Sequence, residues 1–442
     1  MASNPNTLTL APKRELFAWA MYDFANSGYT TVVLTAVFNT YFVAVVAGVD
    51  SGYRSGTGTF LWSLVLAVAN AVVLFSAPVL GAIADRRANK KRLLVITTSG
   101  CVVCTALLAT VGSGEVLLAS VLVILATIMF ASGENLIAAF LTELAPPHEM
   151  GRVSGYGWGL GYVGGMLVLG LCLIYVSWAQ QSGHIATQYV PVTMCITALA
   201  FALASLPTFL WLRERAVPQS TQFSPAPYYI TIVTALRNVV STCRDAARFT
   251  DLFRFLAALA VYTSGIHTVI ILAAVYAQEA MGFNTKDILA MILVVNITAA
   301  TGALIFGYVQ DRVGSLRTLK LTLVIWIAAV VVAYFAQGRF SFWVAANLVG
   351  VALGSSQSAG RALIGQFAPP AQSAEIFGLW GLAVKLAAIV GPLCYGAIVY
   401  ISGGNHRVAI VSTLVFFVIG LIMLWRVDEH RAQATAHSTA AR

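Results

Sequence analysis

Charge is what this sequence has least of. Of its 442 residues only 10% are Asp, Glu, Lys or Arg, while 59% are hydrophobic. A soluble globular chain is roughly 25% charged. So few charges cannot cover a water-facing surface of this size, and the bilayer must be the main solvent. Other scarcities narrow the field further. No G-x-x-x-x-G-K-S/T loop and no H-E-x-x-H run occurs, so neither a phosphate-cradling ATP site nor a zinc peptidase site can be placed. No polar stretch is long enough for a catalytic domain, so an enzyme is not expected. The polar start, MASNPNTLTLAPKRELF, has no apolar region of the kind a cleavable signal carries, which predicts that the first span is retained. The six cysteines, at 101, 104, 172, 195, 243 and 394, fall mostly in apolar stretches. The C-x-x-C spacing of Cys101 and Cys104 reads as small packing residues, because redox and metal sites need a polar, accessible setting. No metal and no cofactor is expected.

What is abundant is long apolar runs. Stretches of about 20 residues can cross ~30 Å of hydrocarbon as helices. They lie at 16–47, 60–84, 92–112, 115–143, 153–177, 189–212, 253–279, 288–309, 318–336, 340–367, 375–401 and 406–426, which predicts twelve spans. The apolar–polar alternation of a membrane barrel is missing. Lysine and arginine then fix the orientation. With the N-terminus inside, 20 of the 26 basic residues fall on the inner side and four, Arg54, Lys286, Arg339 and Arg407, on the outer. Arg361 and Lys385 lie within spans. Both termini are therefore expected in the cytoplasm. The net charge of +9 needs no nucleic acid, since basic loops face anionic lipid heads. The connection 213–252, with Arg237, Arg244 and Arg248, reads as an amphipathic helix on the inner surface.

The chain repeats itself. GAIADRR, after the second span, matches GYVQDRV, after the eighth. Gly81, Asp85 and Arg86 map onto Gly307, Asp311 and Arg312 at an offset of 226. Pro146–Pro147 maps to Pro369–Pro370 at 223, and Trp158 to Trp380 at 222. The division is thus 1–212, a first six-helix bundle, 213–252, a linker, and 253–442, a second bundle with a short tail. Two such halves with sites between them near the midplane are the design of an alternating-access carrier. In the repeated loop, glycine permits close helix approach, while Asp85 with Arg86, and Asp311 with Arg312, can latch a neighbouring helix end.

At these residues the chain resembles the major facilitator superfamily. Within it, WAMYDFANSGYTTVVLTAVF (19–38), APPHEMGRVSGYGWGLGYVGG (145–165), SQSAGRALIGQFAPP (356–370) and AEIFGLWGLAVKLAAIVGP (374–392) are similar to the vacuolar-effluxer-like branch, named for a fungal autophagy-related amino-acid exporter. The resemblance implies an all-α membrane protein of the major facilitator fold, with twelve transmembrane helices in two pseudo-symmetric bundles. It also implies export of amino acids or related metabolites. The chain departs from the branch at Ala88, where a second glycine is usual, at Ser264, where aspartate is usual, and at Ala138, where asparagine is usual.

Ionisable groups inside the spans complete the reading, because each costs about 2.5–3.5 kcal/mol even on insertion scales. Asp23, Glu134, Arg361 and Lys385 can neutralise one another as structural pairs, or open to hold a charged solute. Arg361 is the expected ligand for a solute anionic group, since its fork grips a carboxylate bidentately. Lys385 either assists or pairs with Asp23, and Gln357 lies one turn before Arg361. Asp23 and Glu134 are candidates for proton exchange. Tyr22, Asn26, Tyr262 and His267 complete the candidate cavity; a lone helical histidine is as readily a neutral hydrogen-bonding residue. Gly159-Leu160-Gly161-Tyr162-Val163-Gly164 fits G-x-G-x-x-G but follows no strand, so Gly157, Gly161 and Gly165 read instead as a face for close helix packing. The expected partners are a small solute, the lipid bilayer and protons, with the chain a monomer in a bacterial inner membrane. A non-transporting solute sensor, or a carrier of a drug or organic anion, is the alternative.

Overall fold

Backbone polar groups find no water in hydrocarbon, so a spanning segment must satisfy them internally, and these segments are helical. The computed structural model describes residues 9–48, 51–52, 57–216, 249–281, 285–402 and 406–440. Twelve long helical segments follow one another. They are α1 (Lys13–Val46), α2 (Thr57–Arg87), α3 (Lys90–Leu107), α4 (Val116–Ala139), α5 (Met150–Gln181), α6 (Ala186–Trp211), α7 (Thr250–Met281), α8 (Thr285–Val313), α9 (Ser315–Phe335), α10 (Arg339–Phe367), α11 (Ser373–Ile401) and α12 (His406–Leu424). A short helix, α13 (Glu429–Ala440), ends the chain. Most of the surface helix expected in 213–252 lies outside the described residues.

Among the described residues ten helices are long and apolar enough to cross a membrane, and α12 with α13, bent by 65°, would make eleven. The expected tenth span, α10, is not among the ten. It carries Ser355, Ser356, Ser358, Arg361 and Gln366, all buried, so these polar groups are sheltered by neighbouring helices. Helix α1 is also irregular, widening into π turns at Tyr29–Ala36 and Phe42–Val46.

Packing repeats with the sequence. In the first half α1 lies against α5 and α6, α3 against α4 and α6, and α2 against α4. Six helices later α7 lies against α11 and α12, α9 against α10 and α12, and α8 against α10. The halves meet along two equivalent seams, α2 with α11 and α5 with α8. The glycine face of α5 does what its spacing predicts. A Cβ on Gly161 would come 3.1 Å from Ser27 Oγ, and one on Gly165 3.0 Å from Thr31 Cγ2. At Gly164, where a Cβ would lie 2.2 Å from Phe24 O, only glycine lets α1 and α5 approach so closely.

Candidate functional site

The site is built in layers, rising from the end that carries the α2–α3, α4–α5, α8–α9 and α10–α11 connections, here the basic end. The first layer is the repeated loop. At the foot of α2, Asp85 accepts the backbone N–H groups of Ala374 (3.1 Å) and Glu375 (2.8 Å), at the start of α11. At the foot of α8, Asp311 accepts those of Gly151 (2.9 Å) and Arg152 (3.1 Å), at the start of α5. Each carboxylate thus caps the positive end of a helix in the opposite half. The glycines let the seams close. A Cβ on Gly81 would lie 2.0 Å from Ala374 O, and one on Gly307 2.9 Å from Gly151 O.

The arginines of the loops do not join these latches, contrary to expectation. Adjacent helical residues point some 100° apart, so Asp85 faces α11 while Arg86 turns away, its Nη1 buried without a partner. Arg312, beside Asp311, is exposed. The cation at the first latch is Lys90, fully buried at the start of α3. It lies 3.4 Å from Asp85 Oδ1 and donates to Glu143 Oε1 (2.8 Å) and Ser373 Oγ (2.7 Å). In the repeat the position of Glu143 is held by Gln366, which donates to Pro147 O at 2.6 Å. Beside its capping carboxylate, the α2–α11 seam thus carries a buried lysine and glutamate, while the α5–α8 seam has a neutral amide in the glutamate's place. A further matched pair went unread in the sequence. Glu214 accepts the N–H groups of Lys90 and Lys91 at the start of α3, and Glu429 those of Ser315 and Leu316 at the start of α9.

About 9 Å further in, six residues from the end of α10, lies the second layer. Arg361 Nη1 donates to Asp23 Oδ2 at 2.6 Å, joining α10 of the second half to α1 of the first. Its Nε reaches Ser154 Oγ (3.1 Å) and its Nη2 reaches Ser154 O (2.9 Å), on α5. The guanidinium lies over the rings of Trp19 (4.7 Å) and Trp158 (5.2 Å), two cation–π contacts. With 4% of its surface exposed, Arg361 is committed to protein partners in this conformation, and Lys385 takes no part in the pair. The layer exists because Gly157 leaves room. A Cβ there would lie 2.3 Å from Asp23 Oδ2 and 2.4 Å from Arg361 Nη2. On α11 a Cβ on Gly381 would lie 2.5 Å from Asn135 Nδ2 of α4, so a glycine also makes room for this amide where the halves meet.

The third layer holds Glu134 (α4), Lys385 (α11) and His267 (α7), each partly exposed. Helix α11 packs against both α4 and α7, so the Lys385 charge acts on both Glu134 and His267. Yet among the described residues neither Glu134 nor Lys385 has an ion pair within 4 Å or a hydrogen bond to its side chain. Both are unpartnered charges about 13–18 Å from the basic end, counted from Glu143 and Ser373 at 1.5 Å per residue. Gln357 accepts from Tyr162 Oη across the halves in a short bond. Trp158 Nε1, buried beside Arg361, has no acceptor among the described residues.

Two expected cavity residues sit elsewhere. Tyr22 lies within the first half, where its hydroxyl shares a 3.0 Å bond with Thr98 Oγ1 and its ring packs edge-on against Phe201. Tyr262 is buried within the second half, between Gly360 and Gly420. In an apolar interior a phenol turns to a helix partner. Asn26 is buried on α1, one turn from Asp23.

A family model described as vacuole effluxer Atg22 like matches residues 56–437. An uncharacterised MFS-type transporter of Bacillus subtilis (strain 168), YxiO, is 27% identical over 419 residues, covering 93% of this chain and 94% of that one. Autophagy-related protein 22-1 of Penicillium rubens is 23% identical over 304 residues, 64% of this chain but only 50% of its own length. The structure of the major facilitator superfamily proton:xylose symporter XylE superposes with a TM-score of 0.70 at 14% identity, covering 93% of this chain and 95% of that one. The fold is therefore that of the major facilitator superfamily.

Proposed function

The chain belongs to the vacuole effluxer Atg22-like family, and from that premise we propose that it is a secondary transporter that moves a small zwitterionic or charged solute by alternating access. The observation that carries this reading is the pair Glu134 and Lys385. They are opposite charges from opposite halves, deep in the bundle, and among the described residues neither has an ion pair or a side-chain hydrogen bond. A charge within a span costs about 2.5–3.5 kcal/mol even on insertion scales, so such groups call for a guest. An α-amino acid supplies both complements, its ammonium toward Glu134 and its carboxylate toward Lys385. Export is the direction we favour, as the family's description as an effluxer suggests, with amino acids or related metabolites as the cargo.

The basic end is the cytoplasmic one in this reading, and the membrane is a bacterial inner membrane. The latches of Asp85, Asp311 and Lys90 close that side, and the Asp23–Arg361 pair forms the innermost bar. Rocking the halves apart on the cytoplasmic side draws Arg361 from Asp23. The stranded carboxylate then takes a proton, because an unpaired anion in a low-dielectric interior is unfavourable. Asp23 thereby couples the cycle to protons, Arg361 acts as the switch, and Lys385, Glu134, Gln357 and His267 face the solute.

Counterflow tests the reading. Proteoliposomes preloaded with unlabelled amino acids should accumulate labelled amino acid transiently, and Lys385→Ala should abolish the overshoot. No overshoot with any amino acid, peptide, sugar or organic anion, alongside saturable binding, would mean a solute sensor instead.

A further inference from the structure

The two seams differ in what seals them, and the seam without the buried lysine has a groove beside it. A cavity of about 540 Å³ opens between α1 and α5 of the first half and α8 of the second. Its walls are apolar, with Phe17 from α1, Leu160 and Val163 from α5, and Leu304 from α8. At the basic end its rim carries two cations, Lys13 and Arg152. Lys13 is exposed and has no ion pair or hydrogen bond from its side chain among the described residues. Arg152 is bonded to Glu149 at 2.7 Å with 27% of its side chain exposed. From Arg152 to Val163 the groove runs eleven residues along α5, about 16 Å at 1.5 Å per residue. That is close to one leaflet, half of the ~30 Å hydrocarbon core.

We propose that this groove is a binding site for one anionic phospholipid of the leaflet at the basic end. Its acyl chain lies along α5 and its phosphate sits against Lys13 and Arg152. Apolar walls one leaflet deep with cations only at the mouth complement such a molecule in both length and charge. A zwitterionic lipid matches the walls but not the rim. The site also touches the gate, since the backbone N–H of Arg152 is one of the two that Asp311 holds. Just inside the rim, Tyr156 shares a 2.6 Å hydroxyl bond with Tyr308 of α8. A lipid seated here contacts both halves only while this seam is closed. It therefore favours the conformation with the basic end sealed, and makes the cycle sensitive to the anionic lipid content of the membrane.

The test uses the full chain in nanodiscs of phosphatidylcholine alone or mixed with phosphatidylglycerol, followed by native mass spectrometry of retained lipid. Phosphatidylglycerol should be retained in preference to phosphatidylcholine, by about fivefold for each rim cation. Lys13→Glu should remove at least about fivefold of that preference. Leu304→Trp, which fills the groove, should remove the retained lipid whatever its headgroup, and Leu160→Trp on the facing wall provides a second filling variant. Distances between spin labels on α5 and α8 at the basic end should shift toward the closed value when phosphatidylglycerol is present. Equal retention of the two lipids by the wild type, or unchanged retention in both filling variants, would overturn the proposal.

Discussion

Replacing Asp23 with alanine should unlatch the basic end. Asp23 and Arg361 belong to different halves and meet at 2.6 Å in a buried layer. Removing one partner of a buried ion pair typically costs about 3–5 kcal/mol. Arg361 would keep Ser154 and its two indole faces, so the loss should fall to about 2–3 kcal/mol, the upper part of the range for a hydrogen bond to a charged group. The pair can form only while the halves are together at this end, so the whole loss falls on the closed state. At 1.36 kcal/mol per decade, the ratio of open to closed shifts by about 30- to 160-fold. A protein about 99% closed would become roughly a quarter to three-fifths open. Spin labels at Arg92 and Arg317, exposed at the starts of α3 and α9, would read this as a new long-distance population in double electron–electron resonance. Asp23→Asn, which can still accept a bond, should shift it less. An Asp23→Ala protein with the wild-type distance distribution would refute the reasoning.

Three further outcomes follow from the same geometry. Gly81→Ala should open the basic end more than Gly307→Ala, because the added Cβ meets a backbone oxygen at 2.0 Å in the first case and 2.9 Å in the second; the same label pair ranks them. Lys90→Met leaves Asp85 and Glu143 facing each other without their cation and should lower stability by about 3–5 kcal/mol, seen as a lower thermal midpoint that Glu143→Gln in the same chain partly restores. Gly157→Ala should resemble Asp23→Ala in distance distribution, since its Cβ has no room between Asp23 and Arg361, with about 1–3 kcal/mol lost to overpacking. A Gly157→Ala protein with wild-type melting and distances would contradict the packing described.

The helices, the repeat and the glycine face of α5 were legible because each leaves a periodic trace. Long apolar runs mark the spans, constant offsets mark the halves, and the spacing of Gly157, Gly161 and Gly165 marks one helical side. That charged groups within the spans must find partners was also legible, from the cost of charge in hydrocarbon. Which of them pair was not. Asp23 meets Arg361 rather than Lys385 because of a niche at Gly157, and niche shape depends on where three helices cross. The loop at 85–92 offers five cations within eight residues, and nothing in the string says that Lys90 folds inward while Arg86 faces away. Tyr22 and Tyr262 looked like cavity residues because they flank polar clusters. A shift of one residue on a helix turns a side chain about 100°, enough to move both phenols into the bundle cores. The polar character of α10, which hides it from a hydropathy test, is itself the trace of the site it carries.

The most direct test of the central claim is equilibrium binding of the transported zwitterion to wild-type protein, Glu134→Gln and Lys385→Met, by isothermal titration calorimetry under one set of conditions. If the two side chains hold the two ends of the solute, each variant should bind at least about tenfold more weakly, the loss of one charge-assisted contact, while melting within a few degrees of wild type. Affinity unchanged in both variants, with the protein still folded, would mean that the solute sits elsewhere and that these charges serve another purpose.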